Sequence, residues 1–298
     1  MKEWLLTWMK AARAPFLVVS LLPALLGGVM AASRGPINIG VFIAAVVGIV
    51  MAHSAADFID DYFDYKKGNL GNKVQQFHDS PLIDQRVTLT QVLIATAVCL
   101  FVALAAGIYV LMQAGVVVLI LVAIGAFIVF FYTSPPIMLN YRGLGETMLF
   151  LAFGPMILVG VDVVLTGRFN GETLLVSLLP GFFTMNVGVV SNTFDYLDDI
   201  KSGKKTISVR FGQPVTVRLI AIDSVIAYLA VILGVILQLI PVWTLLVLVT
   251  IPLAIKTVRN VSQFNDEGRY TPAMTSAIAL SSIATILLIA AYGIKLMI

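Results

Sequence analysis

The sequence predicts an all-α, polytopic membrane bundle of about nine transmembrane helices. Three observations carry that expectation. Of the 298 residues, 59% are hydrophobic and only 12% are charged, whereas a soluble domain carries about 25% charged residues. The apolar residues fall in continuous runs near the ~20 residues a helix needs to cross hydrocarbon, without the period-two alternation of barrel strands. The Lys and Arg residues sort by side of the membrane.

Charged clusters and Pro/Gly positions punctuate the runs, giving spans at roughly 14–33, 37–60, 90–111, 114–132, 145–166, 172–192, 213–238, 241–258 and 271–296. The first run, Pro15 to Ala32, is long enough to span, and nothing exportable follows it. It reads as a membrane helix rather than a cleaved signal. Span 2 starts past Gly35-Pro36 and ends in an acidic cluster; span 3 meets span 4 at Gly115. Span 5 follows Arg142-Gly143, and span 6 follows Gly171 and ends in a second acidic cluster. Span 7 follows Gly212, span 8 opens at Pro241, and span 9 follows Arg269.

The N-terminus (Lys2, Lys10, Arg13) and the loops after spans 2, 4, 6 and 8 hold 16 of the 19 basic residues; the other side holds Arg34, Arg168 and Lys295. The positive-inside rule places the N-terminus and these loops in the cytoplasm of a multi-pass cell-membrane protein. A net charge of +3 without a basic stripe gives no nucleic-acid partner. The single cysteine, Cys99, lies inside an apolar run, which excludes disulfides and thiolate metal sites. Nothing implies an obligate protein partner. Residues 1–298 read as a single integral-membrane domain.

Two acidic motifs stand where spans 2 and 6 meet the cytoplasm. Asp57, Asp60, Asp61 and Asp64 form the first; Asp195, Asp198 and Asp199 form the second. From Asp60 and from Asp195 the same frame runs: Asp at +4, Lys at +6 and Gly at +8. The repeat suggests an internal duplication over 57–68 and 192–203, with two facing half-sites. Carboxylates four residues apart share a helical face and repel one another. Converging, they need cations, and hard oxygen ligands of this kind suit Mg²⁺ completed by substrate phosphates. One such cluster alone reads as a solvated helix end; two matched clusters on one side favour the metal.

Asp60, Asp64, Asp195 and Asp199 are thus the expected metal ligands, with Asn192, three residues before Asp195, extending the shell. Lys66, Lys67, Lys73, Lys204, Lys205 and Arg142 are candidates for phosphate contact, although each also fits a positive-inside charge. His53 lies two turns before Asp60 on the same face, as a base, an orienter or a satisfied polar contact. Asp162 lies near the far membrane face and reads as structural.

These residues resemble the UbiA superfamily of intramembrane prenyltransferases. Asp61-Tyr62-Phe63-Asp64-Tyr65-Lys66-Lys67-Gly68 is similar to the first Asp-rich motif of its menaquinone-type branch. Asp195 to Asp199, followed by Gly203-Lys204-Lys205-Thr206 and Arg210-Phe211-Gly212, is similar to the second. Tyr132-Thr133-Ser134-Pro135-Pro136, Tyr141-Arg142-Gly143-Leu144-Gly145-Glu146, Gly154-Pro155 and Arg13-Ala14-Pro15 match in order. The chain departs in having Asp60 where the family has Asn, in lacking an acid just after Gly68, and in lacking the Gly-rich stretch between Asn72 and Arg86. Asp79 is a candidate for the missing acid.

The resemblance implies a central cavity open to lipid and capped by cytoplasmic loops. It also implies Mg-dependent transfer of a prenyl group from an isoprenyl diphosphate (geranyl, geranylgeranyl or longer) to an aromatic, lipophilic acceptor in quinone biosynthesis. Two Mg²⁺ ions would bridge the diphosphate, with Tyr132 and Asn186 joining Lys66, Lys67, Lys73 and Lys204 in donor binding. Asp198, His53 and Arg142 would be catalytic. The runner-up acceptor is geranylgeranylglyceryl phosphate, as in ether-lipid synthesis. A cation-coupled transporter would place its acids near the midplane, not at span ends. A CDP-alcohol phosphotransferase would carry a D-G-x-x-A-R run, which this chain lacks.

Overall fold

The computed structural model of the chain describes residues 2–69 and 81–297, and every regular element among them is helical. In order they are α1 (Lys2–Ala11), α2 (Val18–Ala32), α3 (Ile39–Lys66), α4 (Leu89–Ala114), α5 (Val117–Phe131), α6 (Gly145–Leu151) and α7 (Ile157–Thr166). Then follow α8 (Gly171–Phe194), α9 (Tyr196–Ser202), α10 (Ile207–Phe211), α11 (Gln213–Ile236), α12 (Ile251–Val261) and α13 (Tyr270–Met297). Eight helical stretches among the described residues are long and apolar enough to cross a membrane. The remaining expected span, the fourth, is α5, whose 15 residues reach about 22 Å against a hydrocarbon core of about 30 Å.

Helix starts follow local chemistry. Asn38 caps α3 by accepting from the Val41 amide at 3.2 Å, and Asn170 caps α8 by accepting from the Glu172 amide at 3.0 Å. Thr88 and Gln91 form a capping box on α4. The expected fifth span is α6 and α7 joined by a π-helical turn, Ala152–Met156, around Pro155. Proline has no N–H to give to the ladder, and the wider turn accommodates its ring. The expected eighth span begins as a 3-10 helix, Val242–Thr250, before α12.

Packing centres on α8, which lies against α6, α7, α11 and α13. Phe183 meets the Tyr228 ring edge-on at 5.6 Å, and Leu26, Leu158, Leu179, Leu280 and Leu288 close around them. On α4 and α5, by contrast, Phe101, Met112 and Ile120 are exposed. Such a surface suits lipid, where apolar side chains lose nothing by facing outward. The chain is a multi-pass membrane protein.

At the far end from the acidic motifs, Asp162 is fully buried, pairs with Arg34 and accepts from Thr173 Oγ1 at 2.7 Å. Arg34 also meets Glu172 at 3.1 Å, and Glu172 accepts from Tyr292 at 2.8 Å and Lys295 at 3.2 Å. This network ties α2, α7, α8 and α13 together, matching the structural reading of Asp162.

Candidate active site

Helix α3 runs past its expected end at 60 to Lys66, so the first acidic motif forms the last turns of a spanning helix. Asp60 and Asp64 consequently share a face. Gly68 then turns left-handed (φ 72°), and after α9 Gly203 does the same (φ 78°). The glycine of the repeated frame is thus a helix stop in both motifs, a conformation that costs a side-chain residue about 1–2 kcal/mol.

Each carboxylate of the first motif is held from another element. Arg13, on the α1–α2 link, pairs with Asp61 and lies 3.4 Å from Asp60. Arg13 itself sits in the left-handed region (φ 47°), strain that the two ion pairs oppose. Thr133 Oγ1 donates to Asp60. Asp64 is fully buried and accepts from Tyr141 Oη at 2.8 Å and from Lys204 Nζ at 2.8 Å.

In the second motif the helix breaks: α8 ends at Phe194, Asp195 caps it, and α9 carries Asp198 and Asp199. Ser191 Oγ donates to Asp195 at 2.9 Å, and Thr206 Oγ1 donates to Asp199 at 3.3 Å. The left-handed Gly203 reverses the chain so that Lys204 points inward to Asp64. Asn69 completes that junction. With its amide oxygen toward the ammonium, it accepts from Lys204 Nζ at 3.1 Å and donates to the Asp198 carbonyl at 3.3 Å. A loop seals the junction from the other side. The Lys205 amide donates to the Tyr141 carbonyl at 3.2 Å, and a Cβ on Gly143 (φ 79°) would lie 2.6 Å from the Lys205 carbonyl.

Below this junction lies a cavity of about 640 Å³. Arg13, Asp57, Asp60, Asp61, Asn192 and Lys204 border its polar end, and side chains of α3, α4, α5, α7 and the π-helical turn, such as Leu104, Val122, Phe153 and Met156, wall the rest. His53 and Tyr132 face the same cavity. His53 lies 3.7 Å from Asp57 and 2.9 Å from Ser20 Oγ.

The remaining expected residues divide. Asn192 donates to Glu146 Oε1 at 3.0 Å, and the Ile207 amide donates to the same oxygen at 2.9 Å. Lys67 stacks over the Tyr141 ring at 4.0 Å and Lys66 over Tyr62 at 4.5 Å, and both are exposed. Asn186, Arg142 and Asp198 do not border the cavity, and neither do Asp64, Asp195 and Asp199. Asn186 faces α11, donating to the Ile220 carbonyl at 3.4 Å, and does not border the cavity. Arg142 is exposed and donates to the Pro136 carbonyl at 3.0 Å; its neighbour Tyr141 is the residue that points inward. Asp198 pairs with the exposed Lys201 at 3.3 Å and does not border the cavity. Each follows from direction rather than proximity in sequence: one residue of shift on a helix or turn rotates a side chain by roughly 100°. Lys73, with His78 and Asp79, lies outside the described residues.

Arg13, Tyr141, Thr133, Thr206 and Glu146 join the site without having been singled out as its ligands. Their signal lay only in the matched motif stretches, since the contacts bridge residues as far apart as 13 and 61.

Among the described residues, no three carboxylate or imidazole side chains gather closely enough to hold a metal ion alone. Lys204 and Arg13 stand among the acids, so the carboxylates are interleaved with cations. Mg²⁺ ordinarily takes one or two carboxylates and completes its shell with water and substrate phosphate. Separate hard-oxygen donors above a cavity fit that habit.

A model described as the UbiA prenyltransferase family matches residues 20–283. A 2-carboxy-1,4-naphthoquinone phytyltransferase of Synechocystis sp. is 28% identical over 174 residues, 58% of this chain and 57% of that protein. The chain thus matches little over half the length of that relative. A 1,4-dihydroxy-2-naphthoate octaprenyltransferase of Bacillus subtilis is 23% identical over 83% of this chain and 79% of that one. Among solved structures, an apo UbiA homologue of Aeropyrum pernix K1 superposes with a TM-score of 0.71 at 17% identity, covering 95% of this chain and 98% of that one. A UbiA homologue of Archaeoglobus fulgidus bound to DMAPP and Mg²⁺ gives 0.65 at 16% identity, over 98% and 99%. Both show the shared fold.

Proposed function

The chain belongs to the UbiA prenyltransferase family and is a membrane prenyltransferase, and on that premise we propose that it moves a prenyl group from an isoprenyl diphosphate to an aromatic acceptor in quinone biosynthesis. The observation that carries this reading is the buried contact of Lys204 with Asp64 at 2.8 Å. It joins the two acidic motifs across 140 residues of sequence, above a cavity of about 640 Å³ with apolar walls. The naphthoate-acting relatives support the aromatic acceptor, and the homologue with DMAPP and Mg²⁺ supports the donor.

Asp60, Asp64, Asp195 and Asp199, with Asn192, would hold Mg²⁺ together with the diphosphate. The bound cation would supply Lewis-acid stabilisation of the leaving diphosphate. Lys204, Arg13 and Lys67 would donate to diphosphate oxygens, acting most strongly where charge builds on departure. Thr133, Tyr141, Ser191 and Thr206 keep the carboxylates oriented, and Glu146 does so for Asn192. The apolar cavity would take the isoprenoid tail and exclude water from the allylic cation. The excess of basic residues on the motif-bearing side supports a cytoplasmic site.

The reading is tested with purified protein, labelled geranylgeranyl diphosphate, Mg²⁺ and three acceptors: 1,4-dihydroxy-2-naphthoate, 4-hydroxybenzoate and geranylgeranylglyceryl phosphate. It expects prenylated naphthoate, lost on chelation and restored by added Mg²⁺. A product only from the glyceryl phosphate would reassign the acceptor, and no product from any would refute prenyl transfer.

A further inference from the structure

His53 is fixed through Nδ1. Ser20 Oγ lies 3.0 Å from the Leu17 carbonyl and 2.9 Å from His53 Nδ1, and its hydroxyl can donate to or accept from the ring. The other nitrogen, Nε2, lies 3.7 Å from Asp57 Oδ2, too far for a hydrogen bond. The Phe153 ring, edge-on at 4.7 Å between centroids, fixes the imidazole from the far side. His53, Asp57 and Phe153 all border the cavity. Along α3, Asp57 lies about 4.5 Å and His53 about 10 Å below Asp60 in the direction of the membrane interior. An imidazole nitrogen thus opens on the cavity, one to two turns beneath its acidic end.

We propose that His53 Nε2 is the base that takes the proton surrendered by the acceptor, with Asp57 stabilising the imidazolium and Ser20 as a positioning residue. This deepens the prenyl-transfer reading and rests on it. In the step, the C1–O bond of the donor breaks and its electron pair leaves with the diphosphate. An electron pair of the acceptor forms the new bond to C1. The proton on the attacked atom passes to His53 Nε2, and its bonding pair returns to the acceptor. The imidazolium then carries Nδ1–H on Ser20 and Nε2–H towards the Asp57 carboxylate. The same chemistry serves a naphthol carbon or a hydroxyl acceptor, because either must lose one proton.

The test compares wild type with His53→Ala, His53→Gln, Asp57→Asn, Ser20→Ala and Ser20→Thr in two measurements. One is Mg-dependent binding of geranylgeranyl diphosphate; the other is transfer to whichever of the three acceptors wild type uses. A positioned base contributes about 10²–10⁴-fold. Both His53 variants should therefore lose about 100-fold or more in kcat, with donor affinity within about twofold of wild type, and added imidazole should restore transfer to His53→Ala. Ser20→Ala should lower kcat without raising KM for the donor, and Ser20→Thr, which keeps the hydroxyl, should recover it. Transfer by either His53 variant within about threefold of wild type overturns the proposal, as does parallel loss of donor binding or failure of imidazole rescue. A wild type that transfers to no acceptor overturns the prenyl-transfer reading beneath it instead.

Discussion

Lys204 Nζ lies 2.8 Å from Asp64 Oδ2, and neither side chain is more than 2% exposed. A charge pair so deeply buried is costly to desolvate, and its presence adds little stability by itself. Its consequence is positional. It fixes the loop after α9 onto the end of α3, and so brings the two halves of the site together.

Removing one partner should therefore be worse than removing both. Lys204→Met leaves the Asp64 carboxylate buried beside an apolar chain and should lower stability by about 3–5 kcal/mol, whereas the double variant Lys204→Met/Asp64→Leu should recover much of that loss. Thermal unfolding in detergent measures both. Prenyl transfer should remain lost in the double variant, which separates the structural part of the pair from its part in catalysis.

Glu146 receives both the Asn192 side chain and the Ile207 amide on one oxygen. Glu146→Gln keeps a carbonyl acceptor and should hold turnover within about tenfold. Glu146→Ala orphans two donors, a loss of about 1–3 kcal/mol each, and should reduce turnover by 100-fold or more. Equal turnover of the two variants would show that neither hydrogen bond matters for the site.

At the opposite end of the bundle, Arg34→Ala would leave Asp162 buried without its cation. The expected loss is about 3–5 kcal/mol of stability, seen as a lowered Tm, with kcat of the remaining folded enzyme unchanged. A selective fall in kcat at unchanged Tm would show that the far network reaches the chemistry.

Much of this architecture was legible in the sequence because its signals are local or periodic. Apolar runs gave the spans, and the Asp/Asp/Lys/Gly frame drew attention to both motifs. What stayed hidden depends on direction. Lys201, Lys204 and Lys205 look alike in sequence, yet only Lys204 is turned inward to Asp64, because Gly203 reverses the chain just before it. Arg142 and Tyr141 are neighbours, and the 3-10 turn sends the tyrosine in and the arginine out. Arg13 reaches Asp61 from 48 residues away, a distance no local pattern encodes. Helix α1, with Trp4, Leu5 and Met9 exposed, was not expected because its ten residues are too few to span. The break at Asp195 was missed for a different reason: both motifs share a sequence frame, but only the first continues its helix.

The central claim is that carboxylates from α3 and from α9 serve one diphosphate. It is tested most directly by Mg-dependent transfer from labelled geranylgeranyl diphosphate in Asp64→Ala and Asp199→Ala, side by side with wild type. The account predicts a fall of about 10³-fold or more in each, since loss of a single electrostatic contributor commonly costs 10²–10³-fold and here the paired cation is misplaced as well. Turnover near the wild-type rate in either variant would contradict it.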